Sequence, residues 1–367
     1  MVRIFGGDRV NKTKKSKLGL YILYGAVTVL FLLAILSFND IGSIMEELKN
    51  ADVKYILLSF ASILVYIALY PLSLCILTKA RGCDIKMTKT YGIAMTEHFF
   101  NGITPFATGG QPFQAYAFAK AKVKPTEFTC LLLMNFMVFM LVTNGFALCA
   151  LFYFEKFVSD GAMAAIAVIG FSMNFIVLGV TFLVATSHKV SAFLSRLVDF
   201  FCRFKWIARF LEPKKESLKE YFVNVQVAFA ELKKKKGAFF LAVFTKILSM
   251  AAYYLTTFFI LLALRVPVVA NDIFFVICGT SFAVTMVVFL PTPGSSGGIE
   301  FAFKTVFASI AAGAAASVSY GGMLIWRLLS YYFVMLISLI FYIILEIRLS
   351  RNNQLKAEES DGLTKEE

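Results

Sequence analysis

Charge is what this chain has little of. Asp, Glu, Lys and Arg make up 16% of its 367 residues, against about 25% in an ordinary soluble domain. Histidine is nearly absent, with only His98 and His188. The six cysteines (Cys75, Cys83, Cys130, Cys149, Cys202, Cys278) show no CxxC or other ligand spacing, which argues against a structural zinc site. Scattered through apolar runs, they act as small hydrophobes. No phosphate-cradling loop, metal cluster or nucleophile–base pair can be read in the sequence, so no cofactor and no metal are expected.

What the chain has is apolar surface. Hydrophobic residues reach 59%, forty of them Phe, and the mean hydropathy is +0.76. A core cannot absorb that excess, so most of the chain faces lipid. This excludes a soluble enzyme, a disordered protein and a secreted disulfide scaffold. The expected fold is an all-α polytopic membrane protein. The net charge of +13 would suggest nucleic acid in a soluble protein, but in a membrane protein its distribution carries the information.

Stretches long enough to cross a bilayer, about 20 residues each, fall at 18–38, 54–78, 128–153, 161–187, 238–264 and 320–347. The first follows a basic leader (residues 1–17, with Arg9, Lys12, Lys14, Lys15 and Lys17) and lacks a small-residue cleavage site, so it reads as a retained anchor. Two further apolar stretches break in the middle. One, about 91–121, is interrupted at Thr104–Pro112, and its arms are too short to cross. The other, about 273–316, is interrupted at Leu290–Gly298, and its arms are long enough to be full spans. With both termini in the cytoplasm, the great majority of the 36 Lys and Arg fall inside, as the positive-inside rule requires.

The two breaks share the pattern Thr-Pro-x-x-x-Gly-Gly, at Thr104–Gly110 and Thr292–Gly298, with Phe113 and Phe301 at matching positions beyond. The flanking spans run in opposite directions in the two halves. The expectation is six full spans plus two re-entrant helical hairpins related as an inverted repeat, whose broken helices meet near the midplane and form a substrate site. Pro-Gly pairs also mark ordinary extramembrane turns, and that alternative stays open.

The runs Asn101–Gln114 and Pro291–Glu300, with Arg327 in the last span, resemble the transmembrane region of lysylphosphatidylglycerol synthases, the flippase-like membrane domain of the multiple peptide resistance factor. The resemblance covers about residues 15–350. Gly110-Gln111 and Gln114 stand where the commoner first motif has Gly-Glu and Arg, so that motif's charges are not carried over. Gly297, Gly298, Glu300 and Arg327 match. The resemblance implies a member standing alone without the synthase domain, in the cytoplasmic membrane of a bacterium. Its cargo would be an anionic or aminoacylated phospholipid such as phosphatidylglycerol or its lysyl derivative.

Ionisable residues at membrane depth cost roughly 2.5–3.5 kcal/mol each on insertion scales. The candidates are Glu97, His98, Lys246, Glu300, Lys304 and Arg327, with Asn101, Gln111 and Gln114 among the neutral polar company and Gly109, Gly110, Gly297 and Gly298 at the breaks. Glu300 and Lys304 are four apart and able to pair. Helix N-termini at Pro112 and near Ile299 suit a phosphate. Structural ion pairs, Glu300–Lys304 or Glu97 with Arg327 or Lys246, are the other use of these charges.

Residues 188–237 form a cytoplasmic insert in which Phe193, Leu197, Phe200 and Phe204 interleave with Arg196, Arg203 and Arg209. Such segments lie in the interface and attract anionic lipid, although positive-inside anchoring alone also explains the charge. The tail, 348–367, is polar, ends acidic, and is expected to be disordered from Asn352.

Three functions fit. The leading one is a lipid translocator whose partners are the membrane and a phospholipid head group. The second is a phosphatidylglycerol lysyltransferase using lysyl-tRNA, tied to resistance against cationic antimicrobial peptides. It would need a nucleic-acid partner and a soluble domain of over about 100 residues, whereas the largest cytoplasmic stretch is about 50. The third is an ion-coupled transporter of a small solute.

Overall fold

The computed structural model describes residues 49–158, 160–203, 212, 215–311 and 316–363. The basic leader and the 18–38 span lie outside the described residues. Everything described is helix or short connection, with no strand. Six helices among the described residues are long and apolar enough to cross a membrane: Val53–Arg81, Pro125–Leu151, Gly161–Thr186, Lys236–Ala263, Ala270–Val287 and Gly321–Arg351. The chain is therefore an all-α, multi-pass membrane protein.

The first of these spans is two helices, α1 (Val53–Leu69) and α2 (Leu72–Arg81). Pro71 separates them, because it has no N–H to give to the carbonyl of Ile67. The Tyr91 hydroxyl supplies that bond instead, donating to Ile67 O at 3.2 Å. At the same bend Tyr70 O accepts from the ammonium of Lys246 at 3.0 Å. The bend is thus stitched by two side chains from other helices, as buried backbone carbonyls require.

The first broken stretch consists of α3 (Met87–Ile103), a tight turn at Pro105–Ala107 and α4 (Gly110–Lys120). Two membrane helices follow, α5 (Pro125–Leu151) and α6 (Gly161–Thr186), then an amphipathic pair, α7 (His188–Phe201) and α8 (Lys215–Lys234). The spanning helix α9 (Lys236–Ala263) leads to the second broken stretch, α10 (Ile273–Val287), a turn at Pro293–Ser295 and α11 (Gly298–Ile310). The last span joins α12 (Ala316–Arg327) to α13 (Val334–Leu363) through one π-helical turn, Leu328–Phe333.

Two expectations change here. Helix α11 has 13 residues, ending where Ala311 leaves helical geometry at ψ 38°. At 1.5 Å per residue it is about 20 Å long, short of the roughly 30 Å hydrocarbon core, so this arm is no full span by itself. And the tail does not lose structure at Asn352: helix continues to Leu363. The segment Gln354-Leu355-Lys356-Ala357-Glu358-Glu359 is made of strong helix formers, and extending a formed helix avoids the nucleation cost.

Helix α9 packs along α1, α13 along α3, and each broken pair packs on itself. Small hydroxyls close the interfaces, as membrane helices use them. Ser62 Oγ donates to Ala252 O at 2.7 Å and Ser249 Oγ to Tyr66 O at 3.2 Å, both joining α1 to α9. Ser338 of α13 donates to Met95 O at 2.5 Å and accepts from Phe99 N–H at 2.9 Å. That carbonyl and amide lie one turn apart in α3, so the serine binds α13 into the α3 hydrogen-bond ladder.

Candidate functional site

The repeated pattern produces a repeated backbone. Thr104 sits at φ −111°, ψ 144° and Thr292 at φ −107°, ψ 147°. After each proline comes a left-handed residue, Phe106 at φ 57°, ψ 17° and Gly294 at φ 58°, ψ 24°. A second left-handed residue follows each, Ala107 at φ 51° and Ser295 at φ 55°. The next hydroxyl turns back onto the proline carbonyl in both copies, Thr108 Oγ1 at 3.0 Å and Ser296 Oγ at 2.8 Å. Left-handed backbone costs a residue with a Cβ roughly 1–2 kcal/mol, and three of these four residues, Phe106, Ala107 and Ser295, carry one, strain of the kind that gathers at functional turns. The correspondence ends at the glycines, where Gly109 has φ −78° and Gly297 φ 87°. It also fails at the paired phenylalanines. Phe113 stacks on Phe100 at 3.8 Å, while Phe301 is exposed.

The two turns pack against each other, and the last span joins them. Arg327, 4% exposed, closes the α12 end just before the π turn. Its Nη2 donates to Gly294 O at 2.8 Å and to Ser296 Oγ at 3.1 Å, and its Nε lies 3.1 Å from Glu300 Oε1. The guanidinium also covers the Tyr331 ring at 3.9 Å. Tyr331 in turn donates its hydroxyl to Gly102 O, in the last turn of α3, at 2.9 Å. Its ring lies where a Cβ on Gly294 would be. One arginine and one tyrosine, four residues apart on the last span, thus hold the second turn and the end of the first arm together.

Glu300 is the third residue of α11 and reaches back to the Gly297 N–H at 2.6 Å, half of a capping box. In the first copy the same task falls to Asn101 Oδ1, which accepts from Gly110 N–H at 2.8 Å, and to Thr104 Oγ1, which accepts from Gly109 N–H at 2.9 Å. The Gly109 and Gly110 amides at the start of α4 are therefore occupied by side chains of α3 and its turn. Gly110 admits this arrangement: a Cβ there would come within 2.6 Å of Glu97 Cγ and 2.7 Å of Asn101 Oδ1.

A cavity of about 190 Å³ opens beside the turns, lined among others by Asn101, Tyr66, Tyr253, Trp326, Arg327 and Tyr331. Behind it lies a second polar group. Gln114 Nε2 donates to Glu97 Oε2 at 3.2 Å. Lys246, fully buried, lies 3.5 Å over the Tyr70 ring and makes its ammonium bond to the Tyr70 carbonyl.

Of the sequence candidates, His98, Asn101 and Arg327 line the cavity, Glu300 reaches it through Arg327, Gly109, Gly110 and Gly298 stand at the turns outside its lining, and Glu97, Gln114 and Lys246 lie one layer back. Gln111, Lys304 and Gly297 lie on the exterior. Glu300 reaches Arg327, 27 residues on, beyond the four-residue partner its spacing suggested. No ion pair joins Glu97 to Arg327 or to Lys246 among the described residues. Tyr331, Trp326, Tyr66 and Tyr253 were missed, having read as apolar. The one available signal was the four-residue spacing of Arg327 and Tyr331, which puts both on one helix face.

A family model, that of the lysylphosphatidylglycerol synthase TM region, matches residues 20–338. The chain belongs to this family. No curated protein matches it. In this lysylphosphatidylglycerol synthase TM-region protein the matched stretch takes in both broken helices, the cavity, Arg327 and Ser338.

Proposed function

We propose that the protein translocates an anionic or aminoacylated phospholipid, such as lysylphosphatidylglycerol, across the cytoplasmic membrane of a bacterium. The observation that carries this reading is the buried Arg327, bound to Glu300 and to the Gly294 carbonyl at a cavity beside two breaks of matching backbone. A lipid phosphate is a stronger, bidentate partner for a guanidinium than a single carboxylate contact. On entering, it competes with Glu300 for Arg327. Glu300 then keeps the Gly297 amide as its own partner, so neither charge is left bare. The cavity is smaller than the about 300–1,000 Å³ of drug-sized sites, which suits a head group whose acyl chains stay in the bilayer. Release of Arg327 from Gly294 frees the second turn, and the two broken helices alternate in exposing the head group, in the manner of an inverted repeat.

The test is translocation in vesicles containing the purified protein, with fluorescent phosphatidylglycerol and lysylphosphatidylglycerol as cargo. The reading expects outer-leaflet probe to become inaccessible, or inner-leaflet probe accessible, faster than in protein-free vesicles, and Glu300→Gln to lose that gain while reaching the membrane normally. Transport of neither lipid overturns it. A new lysylphosphatidylglycerol peak on expression in a host lacking aminoacylated lipids would instead make the chain a synthase.

A further inference from the structure

We infer that α7 docks on an anionic lipid surface at the end of α6. Helix α6 is a membrane span that ends at Thr186, and only Ser187 separates it from α7. Ser187 is extended at φ −122°, ψ 110°, and its hydroxyl caps the new helix by accepting from Val190 N–H at 3.4 Å. The chain therefore turns into a new helix where the bilayer surface must be.

The apolar face of α7 is wider than its protein contacts. Val190 and Leu194 pack into the protein core. Phe193, Leu197 and Phe201, spaced by four, form a neighbouring stripe, and Phe193 remains 62% exposed. Beside that stripe stand Lys189 and Arg196, spaced by seven, with Arg203 in the turn just past the helix end, all exposed. None of the three makes an ion pair among the described residues. The one acid of this helix, Asp199, lies off that row and is held by Lys215 at 2.8 Å and Lys219 at 3.1 Å, which ties the opposite flank to α8. An aromatic stripe with a parallel basic row, at the end of a span, is the form that lies in the interface with its rings at the acyl boundary and its charges on acidic head groups. The charge complementarity and the start at the membrane surface name the occupant: the anionic leaflet from which α7 emerges.

The full chain tests this in nanodiscs, with an environment-sensitive fluorescent amino acid in place of Phe193 and, as control, of Glu216, whose side chain on α8 is 82% exposed. With phosphatidylglycerol present, shallow-brominated lipid is expected to quench the Phe193 probe at least about twofold more than the Glu216 probe, as interfacial burial implies. Lys189→Gln, Arg196→Gln and Arg203→Gln together should lower the docked-to-undocked ratio about 100-fold on such membranes and leave it unchanged on purely zwitterionic ones. Water-like emission at Phe193 in both lipids overturns the proposal. So does a blue-shifted probe that brominated lipid does not quench, which would mean cover by residues 1–48 or a second copy. Quenching indifferent to phosphatidylglycerol overturns the recognition of anionic lipid. None of these readouts depends on transport.

Discussion

The ion pair at the second turn can be taken apart by a double-mutant cycle between Arg327 and Glu300. Arg327→Gln removes two hydrogen bonds, to Gly294 O and Ser296 Oγ, and the guanidinium 3.1 Å from Glu300. Breaking a fully buried pair costs about 3–5 kcal/mol because a bare charge is left behind. Glu300 is 26% exposed at its side chain and keeps the Gly297 amide, so the screened cost is nearer the bottom of that range, about 3 kcal/mol. Glu300→Gln is milder, about 1–2 kcal/mol, since Arg327 retains both its oxygen acceptors and the amide oxygen can still accept from Gly297. In the double variant no charge is orphaned. Its loss is expected to fall short of the sum by about 1–2 kcal/mol, or several degrees of melting temperature at roughly 2–4 °C per kcal/mol. The assay is the thermal midpoint of the purified protein in one detergent, for the four members of the cycle. Strict additivity would refute the argument that the two side chains act on each other at this turn.

Other expectations follow from single contacts. Gly294→Ala places a Cβ on the left-handed residue and against the Tyr331 ring; it should lower stability by about 2–3 kcal/mol, whereas Phe106→Gly, at the matching position, should be neutral or stabilising in the same melt. Lys246→Met removes a buried ammonium that no carboxylate among the described residues meets directly; it should keep the melting temperature within a few degrees while reducing translocation, the pattern of a charge retained for function, and a collapse in stability would mark Lys246 as structural. Asp199 is held below its ordinary pKa by hydrogen bonds from Lys215 and Lys219, and Lys215 is held above its own by Asp199. A depressed acid adds stability above its unfolded pKa and loses it as pH falls through the folded one; a raised lysine does the reverse at the alkaline end. Hydrogen-exchange protection in α7 and α8, corrected for the intrinsic pH dependence of amide exchange, should thus be flat through neutral pH and fall in acid, from the ordinary Asp range downward, as Asp199 takes up its proton; equal protection at neutral pH and well below the ordinary Asp range would contradict the docking of the two helices by this pair.

Much of the architecture was legible because the bilayer sets the length of each element. The spans expected at 128–153, 161–187 and 238–264 appear as α5, α6 and α9 within a few residues. The Thr-Pro-x-x-x-Gly-Gly repeat was legible too, and its matching dihedrals follow from what Thr-Pro forces locally: an extended residue before proline, then a turn. Partners were not legible. Lys246 bonds the Tyr70 carbonyl beside Pro71, 176 residues earlier in the chain, and no spacing rule reaches across two helices. Tyr331 read as one more aromatic in an apolar span, since its hydroxyl matters only because Gly102 O lies opposite. The length of α11 was overestimated because hydropathy does not register where the chain leaves helical geometry.

We propose that Arg327, held by Glu300 beside two broken helices, binds a lipid head group on its way across the membrane. The most direct test is the rate of phosphatidylglycerol and lysylphosphatidylglycerol translocation in vesicles holding the wild-type chain, Glu300→Gln or Arg327→Ala at equal protein content. Translocation by the wild type, with rates near those of empty vesicles for both variants, is the expected result. Wild-type rates from a folded Arg327→Ala protein would contradict it.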